Sequence, residues 1–348
     1  FMGGGSLSIS LTTPPSFIAA ATNVAYYPEC SWLPFATGCS RRPLAARSAA
    51  THASRFQHIA PIRRDRAIHY AREMSDMTQK SPDDGFNYIM LSDVHLGSDI
   101  IPHLRPWAST SWLLEENEID ARLVSWLDHY AKHLDRDRPW RLVIAGDFLD
   151  LAGVSITTPT GVLTPPTAEE QRHGLGSAID HVLHKVEAIA QRHPSVFRAL
   201  GRFVGAGNAL VMVRGNHDIE LYWREAQSVL IDAILAHEPG ESRLALRARI
   251  AIRPWFFAVD GLLYVEHGHE FDPLCGYGDP LASTCARDPS RIRWTAFSVL
   301  LRYVARPTRG LSSADFSYAG MGAYVRLLLK LGVRGTAAIA GRYLRASY

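Results

Sequence analysis

The chain has 348 residues, of which 47% are hydrophobic and 20% are charged. This composition excludes a disordered or fibrous protein and predicts a globular protein with a large core, in one large domain or two ordinary ones. The net charge is only +3 but is unevenly distributed, because residues 286–348 carry eleven basic and two acidic side chains, whereas residues 86–285 carry a net charge of −9. An acidic centre beside a basic tail fits a cation-binding core next to an anion-binding segment, although a GC-rich genome would produce the same arginine-rich tail.

The four cysteines do not form a recognisable pattern. Cys30, Cys39, Cys275 and Cys285 lack CxxC spacing and are too few for a disulfide framework, so a reducing cytoplasm is the expected compartment. Charged residues interrupt every window of 18 residues in the C-terminal part, and no membrane-spanning helix is expected.

Residues 1–85 show no sustained periodicity and contain stretches rich in Ala, Arg and Ser. We predict a mostly disordered leader or an over-extended N-terminus, with a natural start at Met74 or Met77. The ordered domain is expected to begin at Phe86.

Four apolar segments of the central region each run into a polar loop. They are FNYIMLSDVHLG, RLVIAGDFLD, ALVMVRGNHD and RIAIRPWFFAVDGLLYVEHGHE. The first three are typical of buried strands, and the last predicts two strands joined by a turn at Asp260-Gly261. Because ligands bind at the carboxyl ends of strands in open α/β sheets, these loops are expected to converge on one site.

Helical periodicity appears in several of the connecting segments. Residues 120–134 place Leu123, Trp126, Leu127, Tyr130 and Leu134 on one face. Residues 177–193 and 219–236 also predict helices, and the Thr/Pro-rich residues 155–168 predict a surface loop.

The C-terminal residues 290–345 are predicted to be mostly helical. Arg326, Lys330 and Arg334 recur every four residues, which predicts a basic amphipathic helix. Such a helix either contacts an anionic membrane surface or presents an ordinary solvated face.

The first two polar loops carry carboxylates and a histidine at metal-ligand spacing. Asp93 and His95 lie two residues apart, on the same side of an extended chain, and together could chelate a divalent transition metal. Asp147 follows Gly146 and has two oxygens with which to bridge two metals. Asp150, three residues further on, is expected to cap a turn or to hold a ligand in place.

The last two loops add an amide and further histidines. Asn216 offers a neutral carbonyl oxygen as a ligand, while the adjacent His217 is free for proton transfer and Asp218 is expected to orient its imidazole. His267 is a candidate metal ligand through its neutral nitrogen. His269 is a candidate ligand, a partner of a ligand or a substrate contact.

The ordered motifs D-x-H, G-D, G-N-H-D and H-G-H, spread over about residues 87–272, resemble the calcineurin-like metallophosphoesterase superfamily. The EHGHEFDP form of the last motif is similar to bacterial members related to UDP-2,3-diacylglucosamine pyrophosphatases. The resemblance implies an α/β fold, namely a four-layer α/β/β/α sandwich with mixed sheets, over residues 86–285. The helical basic segment 286–348 would follow it.

The same resemblance implies a centre of two divalent metal ions, which are Mn, Fe, Zn or Ni. Asp93 and His95 would bind the first metal and Asp147 would bridge the two. Asn216 and His267 would bind the second metal, and His217 would be the catalytic histidine.

The chain departs from the family pattern in two places. The family's final Gly-His-x-His motif is absent, since no histidine follows His269. We expect the domain to continue beyond the chain, in preference to the alternative that His267 and His269 act as that motif. In addition, the lipid A pyrophosphatase tends to have arginine where this chain has His217, which weakens that specific substrate assignment.

The predicted function is hydrolysis of a phosphomonoester, phosphodiester or pyrophosphate bond by direct attack of a metal-bridging hydroxide. The expected substrate is a small molecule or a lipid-linked phosphoester, with peripheral contact to the inner membrane through residues 320–345 and no obligate protein partner. Three alternatives stay open: a UDP-diacylglucosamine pyrophosphatase-like hydrolase, a catalytically weak binding or scaffold protein, and a nuclease of the same superfamily.

Overall fold

The computed structural model describes residues 75, 77–79, 84–100, 111–159 and 161–305, with short helical stretches between residues 329 and 344. The strands, in chain order, are β1 (Thr78–Gln79), β2 (Asn87–Leu91), β3 (Trp140–Ala145), β4 (Ala209–Val213), β5 (Ile250–Arg253), β6 (Phe256–Val259) and β7 (Leu263–Glu266). The α-helices are α1 (Ser111–Lys132), α2 (Ala168–His173), α3 (Ile179–Arg192), α4 (Pro194–Gly205), α5 (Arg224–Ile234), α6 (Gly240–Arg247) and α7 (Ala296–Leu300).

Four strands form a parallel sheet in the order β2-β3-β4-β5. Parallel neighbours cannot be joined by a tight turn, and each pair is connected here through one or more helices. Every residue of β4 is buried, because a central parallel strand is covered on both faces.

A second, mixed sheet has the order β1-β6-β7. Strands β1 and β6 are parallel, whereas β6 and β7 form an antiparallel hairpin. The predicted turn at Asp260-Gly261 is confirmed. The segment RIAIRPWFFAVDGLLYVEHGHE forms three strands, so the prediction of two was wrong. Residues 254–255 separate β6 from β5, which belongs to the parallel sheet.

Alternating side chains of β3 and β4 bind the layers together. Leu142 and Leu210 join the cluster of helical side chains, whereas Val143 and Val211 pack against Phe257 of the second sheet. This period of two is the normal alternation of a strand between two apolar environments. Helices therefore cover one face of the parallel sheet and the mixed sheet covers the other, which confirms the predicted α/β class.

Two of the predicted helices differ in extent. Helix α1 ends at Lys132, so Leu134 lies beyond it and is exposed. The predicted helix 219–236 divides into a 3₁₀ turn, Ile219–Tyr222, and α5, because Trp223 between them is extended and donates from its indole Nε1 to Ser177 O at 2.9 Å. The prediction at 177–193 is confirmed as α3, and residues 155–159 and 161–167 are irregular as expected.

Both predicted domain boundaries lie inside the packed structure. Strand β1 precedes the predicted start at residue 86, and Met77 beside it is fully buried. Most of the predicted leader 1–85 lies outside the described residues, as do Cys30 and Cys39. Residues 291–303 pack onto the domain, for example through the Ile292 amide, which donates to Ser177 Oγ.

The basic face predicted at the C-terminus falls mostly outside the described part, which includes Arg334 but not Arg326 or Lys330. Residues 332–337 are helical, as predicted. Within the described ranges, no helix has the length and apolar character needed to cross a bilayer. Cys275 and Cys285 are free thiols.

Candidate metal centre

The predicted site residues meet at one edge of the two sheets. Asp93 and His95 follow β2, Asp147 follows β3, Asn216 and His217 follow β4, and His267 directly follows β7. The first three of these strands are parallel, so their carboxyl ends lie at the same edge.

The first two loops share an unusual backbone conformation. Asp93, His95 and Asp147 have φ angles of 55°, 53° and 52°, in the left-handed region that non-glycine residues rarely adopt. Backbone hydrogen bonds tie the loops together, from Asp93 N to Gly146 O at 3.2 Å and from His95 N to Asp147 O at 2.9 Å. Three predicted metal ligands therefore occupy a strained backbone of the kind that accumulates at functional sites.

Two glycines are required by the close approach of these loops. A Cβ at Gly146 would lie 2.5 Å from the Cγ of His267, and a Cβ at Gly215 would overlap Oδ1 of Asp147. Gly146 also has a φ of 93°. The glycines of the G-D and G-N-H-D motifs thus allow the side chains of His267 and Asp147 into the site.

The first group of donor atoms consists of Asp93, His95 and Asp147, whose ligand atoms all lie within 4.8 Å of one another. The Nε2 atom of His95 is 3.9 Å from Asp93 Oδ1 and 3.8 Å from Asp147 Oδ2. The Asp147 side chain is almost completely buried, whereas Asp93 is partly exposed at the mouth of the group.

The second group shares the same oxygen of Asp147. The Nε2 atom of His267 is 3.2 Å from Asp147 Oδ2 and 3.1 Å from Asn216 Oδ1. The Nδ1 atom of His267 lies 2.9 Å from Ala145 O, so it carries the proton and leaves Nε2 as a lone-pair donor in the neutral ring. In that neutral form three electron-pair donors face one another, so either a proton on Nε2 or a metal cation between them would satisfy all three.

The electrostatics of the centre also favour a cation. Burial by itself would raise the pKa of Asp147, but the neighbouring His217, His267 and His95 hold it far below its usual range. Burial would lower the pKa of His267, but the Asp147 carboxylate raises it to about 10, so without a metal Nε2 carries a proton that a bound metal would displace. Asp147 is therefore anionic at neutral pH, and its negative charge raises the pKa of His267.

His217 is held by a different carboxylate from the one predicted. Its Nδ1 is 2.7 Å from Asp150 Oδ1, and its ring lies edge to face against His95 with centroids 4.3 Å apart. The prediction that Asp218 orients this imidazole was wrong. Asp218 points into the protein, where its two oxygens accept from the amides of Gly215 at 2.6 Å and Phe148 at 2.9 Å.

Of the two roles predicted for Asp150, the turn cap is confirmed, because its Oδ1 accepts from the Gly153 amide at 3.0 Å; the same oxygen also contacts His217, which is not one of the predicted ligands. The ligand atoms of His95, Asp150 and His217 form a further cluster within 4.8 Å.

His269 is brought beside the centre, with its ring centroid 5.4 Å from that of His267. Its nitrogens make no hydrogen bond to the described residues, and Nε2 has only a 3.5 Å contact with Glu270 Oε1. The ring is buried and borders Tyr277 at 6.0 Å. His269 therefore lies beside His267 without a hydrogen bond to it, and its role as a ligand, a partner of a ligand or a substrate contact stays a prediction.

Carboxylate, imidazole and amide groups are all donors to divalent metal ions, and the two groups share Asp147. The described residues thus include Asp and His side chains that could hold a metal ion. Comparison of the chain with models of protein families, with curated proteins and with solved structures finds no match.

Sequence reasoning missed the neighbours that the C-terminal half supplies. The ring of Phe297 lies 5.4 Å from that of His217, and the Tyr277 hydroxyl is 3.5 Å from Asn216 O. Neither residue follows a strand or belongs to a motif, so the sequence carried no signal that would place them at the site.

Proposed function

We propose that the protein is a binuclear metal-dependent phosphoesterase that hydrolyses a phosphomonoester, phosphodiester or pyrophosphate bond. The observation that carries the proposal is the position of Asp147 Oδ2, which is 3.8 Å from Nε2 of His95 and 3.2 Å from Nε2 of His267. One carboxylate oxygen shared by two donor groups is the arrangement that a bridging ligand requires. The proposal includes the metallophosphoesterase-type four-layer α/β/β/α sandwich that the motif order implies.

The residues divide between two cations. Asp93 and His95 would hold one and Asn216 and His267 the other, with Asp147 between them. When bound, two such cations neutralise charge on a phosphoryl group and lower the pKa of a bound water to about 7, which makes a nucleophile available at neutral pH.

His217 would supply the proton for the leaving oxygen. Ionised Asp150 can only accept, so the 2.7 Å contact places a proton on Nδ1 of His217 and leaves Nε2 as the nitrogen for proton transfer. The edge of His95 and the ring of Phe297 restrict the rotation of this imidazole. Asp150 therefore orients the imidazole of His217 as a general acid beside the shared Asp147 carboxylate.

A lipid-linked phosphoester is a second candidate substrate class, and one observation favours it. Phe271 and Leu274, which follow His267 closely in the chain, are both more than half exposed. Exposed apolar side chains that follow a candidate ligand in the chain are suited to contact acyl chains. Faster hydrolysis of a nucleotide-linked diacyl sugar than of its deacylated counterpart would support this class.

Metal analysis combined with a hydrolysis assay tests the proposal. The purified chain is stripped, reloaded with Mn²⁺, Fe²⁺, Zn²⁺ or Ni²⁺ and assayed with p-nitrophenyl phosphate, bis-p-nitrophenyl phosphate and single- and double-stranded DNA. We expect close to two equivalents of metal and metal-dependent release of p-nitrophenol. Less than one equivalent together with no hydrolysis would favour a scaffold protein, and salt-sensitive cleavage of DNA alone would favour the nuclease.

A matched control separates the site from general charge effects. Asp147→Asn removes a buried carboxylate from the proposed bridge, whereas Asp232→Asn removes an exposed carboxylate that pairs with Arg247 on the protein surface. Exposed pairs contribute little, so we expect only the first variant to lose metal and activity.

A further inference from the structure

Two histidines lie one helical turn apart at the carboxyl end of α1. His129 is in the last turn of the helix and His133 follows directly, with its backbone amide donating to His129 O at 3.1 Å, so the helical pattern continues through it. Residues four apart project from the same face of a helix, and both side chains are exposed. The pair lies beside Trp140 at the start of β3, whereas the candidate metal centre follows the end of that strand.

The two imidazole rings are stacked, with their centroids 4.4 Å apart and their planes inclined by 24°. Two nitrogens bound to one Zn²⁺ ion, each at about 2.0–2.1 Å, are roughly 3.3 Å apart. Rings at the observed spacing reach that geometry through a small rotation about their side-chain bonds. Two histidines four residues apart on one helix face are also the spacing at which a single helix chelates a metal ion. His129 and His133 are therefore placed to act as a bidentate chelate.

The ring of His133 is oriented before any ion arrives. Its Nδ1 lies 2.7 Å from His129 O, and because a carbonyl oxygen can only accept, Nδ1 carries the proton and Nε2 keeps the lone pair. A hydrogen bond from the second nitrogen to a carbonyl is the usual support of a histidine that binds metal. The backbone of His133 is fixed as well, since Trp140 Nε1 donates to His133 O at 2.7 Å. This preorganisation lowers the entropy that binding would cost.

The surroundings favour a cation, and the donor atoms select which one. The last carbonyls of α1 give its carboxyl end a partial negative charge. The neighbouring Lys132 is exposed, so its ammonium group can stay in water. Two neutral imidazoles suit Zn²⁺, Ni²⁺ and Cu²⁺, whereas Mn²⁺ and Mg²⁺ prefer oxygen ligands.

We propose that His129 and His133 form a surface metal site that takes one Zn²⁺, Ni²⁺ or Cu²⁺ ion, with water completing the coordination. The ion would link the last turn of α1 to the residue that follows it and so stabilise the carboxyl end of the helix. The inference does not depend on the proposed function, because no residue of the candidate metal centre takes part in it.

Retention of the full chain, without any affinity tag, on immobilised Ni²⁺ tests the site. An ion held by a resin reaches only exposed imidazoles, so the buried ligands of the candidate centre do not contribute. We expect the native chain to be retained and to elute with imidazole, and His129→Gln and His133→Gln each to elute at a lower imidazole concentration. The control His237→Gln removes a single exposed histidine and should elute with the native chain.

Equilibrium dialysis with metal analysis measures the stoichiometry. With Zn²⁺ we expect the native chain to bind one equivalent more than the double variant His129→Gln/His133→Gln, and with Mn²⁺ we expect equal uptake by both. Each single variant should bind this additional Zn²⁺ roughly 100-fold more weakly, because a second tethered donor acts at high effective concentration. Glutamine is a good helix former, and thermal unfolding verifies that the variants fold.

The outcomes separate this site from the candidate metal centre. Passage of the native chain through the column without retention, or equal Zn²⁺ uptake by the native chain and the double variant, would overturn the surface site. Elution of both single variants with the native chain would also overturn it, because other histidines would then account for the retention. A retained native chain that takes up no Mn²⁺ and hydrolyses no bis-p-nitrophenyl phosphate would overturn the proposed function and support the surface site alone.

Discussion

Two of the buried histidine–aspartate pairs among the described residues share the same contact distance. His217 Nδ1 is 2.7 Å from Asp150, and His193 Nδ1 is 2.7 Å from Asp120. The second nitrogen of His193 faces the Gly97 amide at 3.0 Å and Asp99 Oδ1 at 3.4 Å, inside a side chain with no solvent exposure. His217 instead packs against His95, within the cluster of candidate ligands.

The difference shows what a buried His–Asp pair can and cannot indicate. Both nitrogens of His193 are used in joining the loop after His95 to the helices, so that pair has a structural role. The pair at His217 leaves a nitrogen at a centre where several acceptors converge. Function is therefore indicated by the second nitrogen of the imidazole and by its surroundings, and not by the pairing with a carboxylate.

The largest effect is expected from Asp147→Asn, because the amide cannot provide the anionic oxygen shared by the two donor groups. We expect loss of at least one metal equivalent and a fall in kcat/KM of roughly 10⁴-fold, since metal-ion catalysis supplies several kcal/mol. Metal content by mass spectrometry and hydrolysis of bis-p-nitrophenyl phosphate check this. Normal metal content with normal turnover would contradict the bridging role.

His217→Asn should lower kcat by roughly 10³-fold, within the range for removal of a general acid, while both metals stay bound. Because the substituted residue holds no metal in our assignment, metal content distinguishes this variant from Asp147→Asn. A substrate with a very good leaving group, such as p-nitrophenolate, should lose less than one with an alkyl alcohol. Equal losses for both would argue against proton donation.

Asp150→Asn should have a smaller effect on kcat than either, roughly 10- to 100-fold, as is typical when a residue that orients an active group is changed.

Asp218→Asn tests whether Asp218, the partner predicted from the sequence, has any part in orienting His217. We expect it to destabilise the loops through the amides of Gly215 and Phe148 and to leave the pH profile of turnover unchanged. A shifted pH profile for Asp218→Asn alone would restore the original assignment.

The convergence of the candidate ligands could be predicted because it depends on short-range information. An apolar strand followed by a polar loop is visible in the sequence. Parallel strands bring Asp93, Asp147 and Asn216 to one edge of the sheet regardless of how the connecting helices pack. The partner of His217 could not be predicted from adjacency. Asp218 is next to it in the chain, but its side chain turns inward to satisfy backbone amides, while Asp150 arrives from another loop.

The contribution of residues 277–303 was not predictable for a similar reason. Tyr277 and Phe297 reach the site only through tertiary packing. Arg302 likewise contacts a residue distant in the chain, since it donates to Glu169 at 2.8 Å. Such contacts have no periodic signature. The interruption of the predicted helix at Trp223 was also not predictable, because no glycine or proline lies beside it in the sequence.

The smallest effect on catalysis is expected at the structural pair. His193→Ala should keep most of the activity but lower the free energy of unfolding by about 3–5 kcal/mol, because it leaves the buried Asp120 without its partner and Asp99 with Arg192 alone. Denaturant unfolding and the hydrolysis assay check this together. A variant that unfolds like the native chain but has lost turnover would mean that His193 belongs to the catalytic centre.

The pH dependence of stability sharpens the same point. Burial opposes protonation of His193, but Asp120 and Asp99 raise its pKa to about 9, above an unfolded value of about 6.5. Its contribution is therefore complete below pH ~6.5 and is lost as the pH rises through about 9. Burial would raise the pKa of Asp99, yet His193 and Arg192 lower it, so the contribution of Asp99 to stability is lost as the pH falls below ~4.

The difference in melting temperature between the native chain and His193→Ala should thus be widest between pH ~4 and ~6.5 and should narrow towards pH ~9. A difference that stays constant from pH 6 to 9.5 would show that packing of the ring, and not its charge, stabilises the junction of α3 and α4.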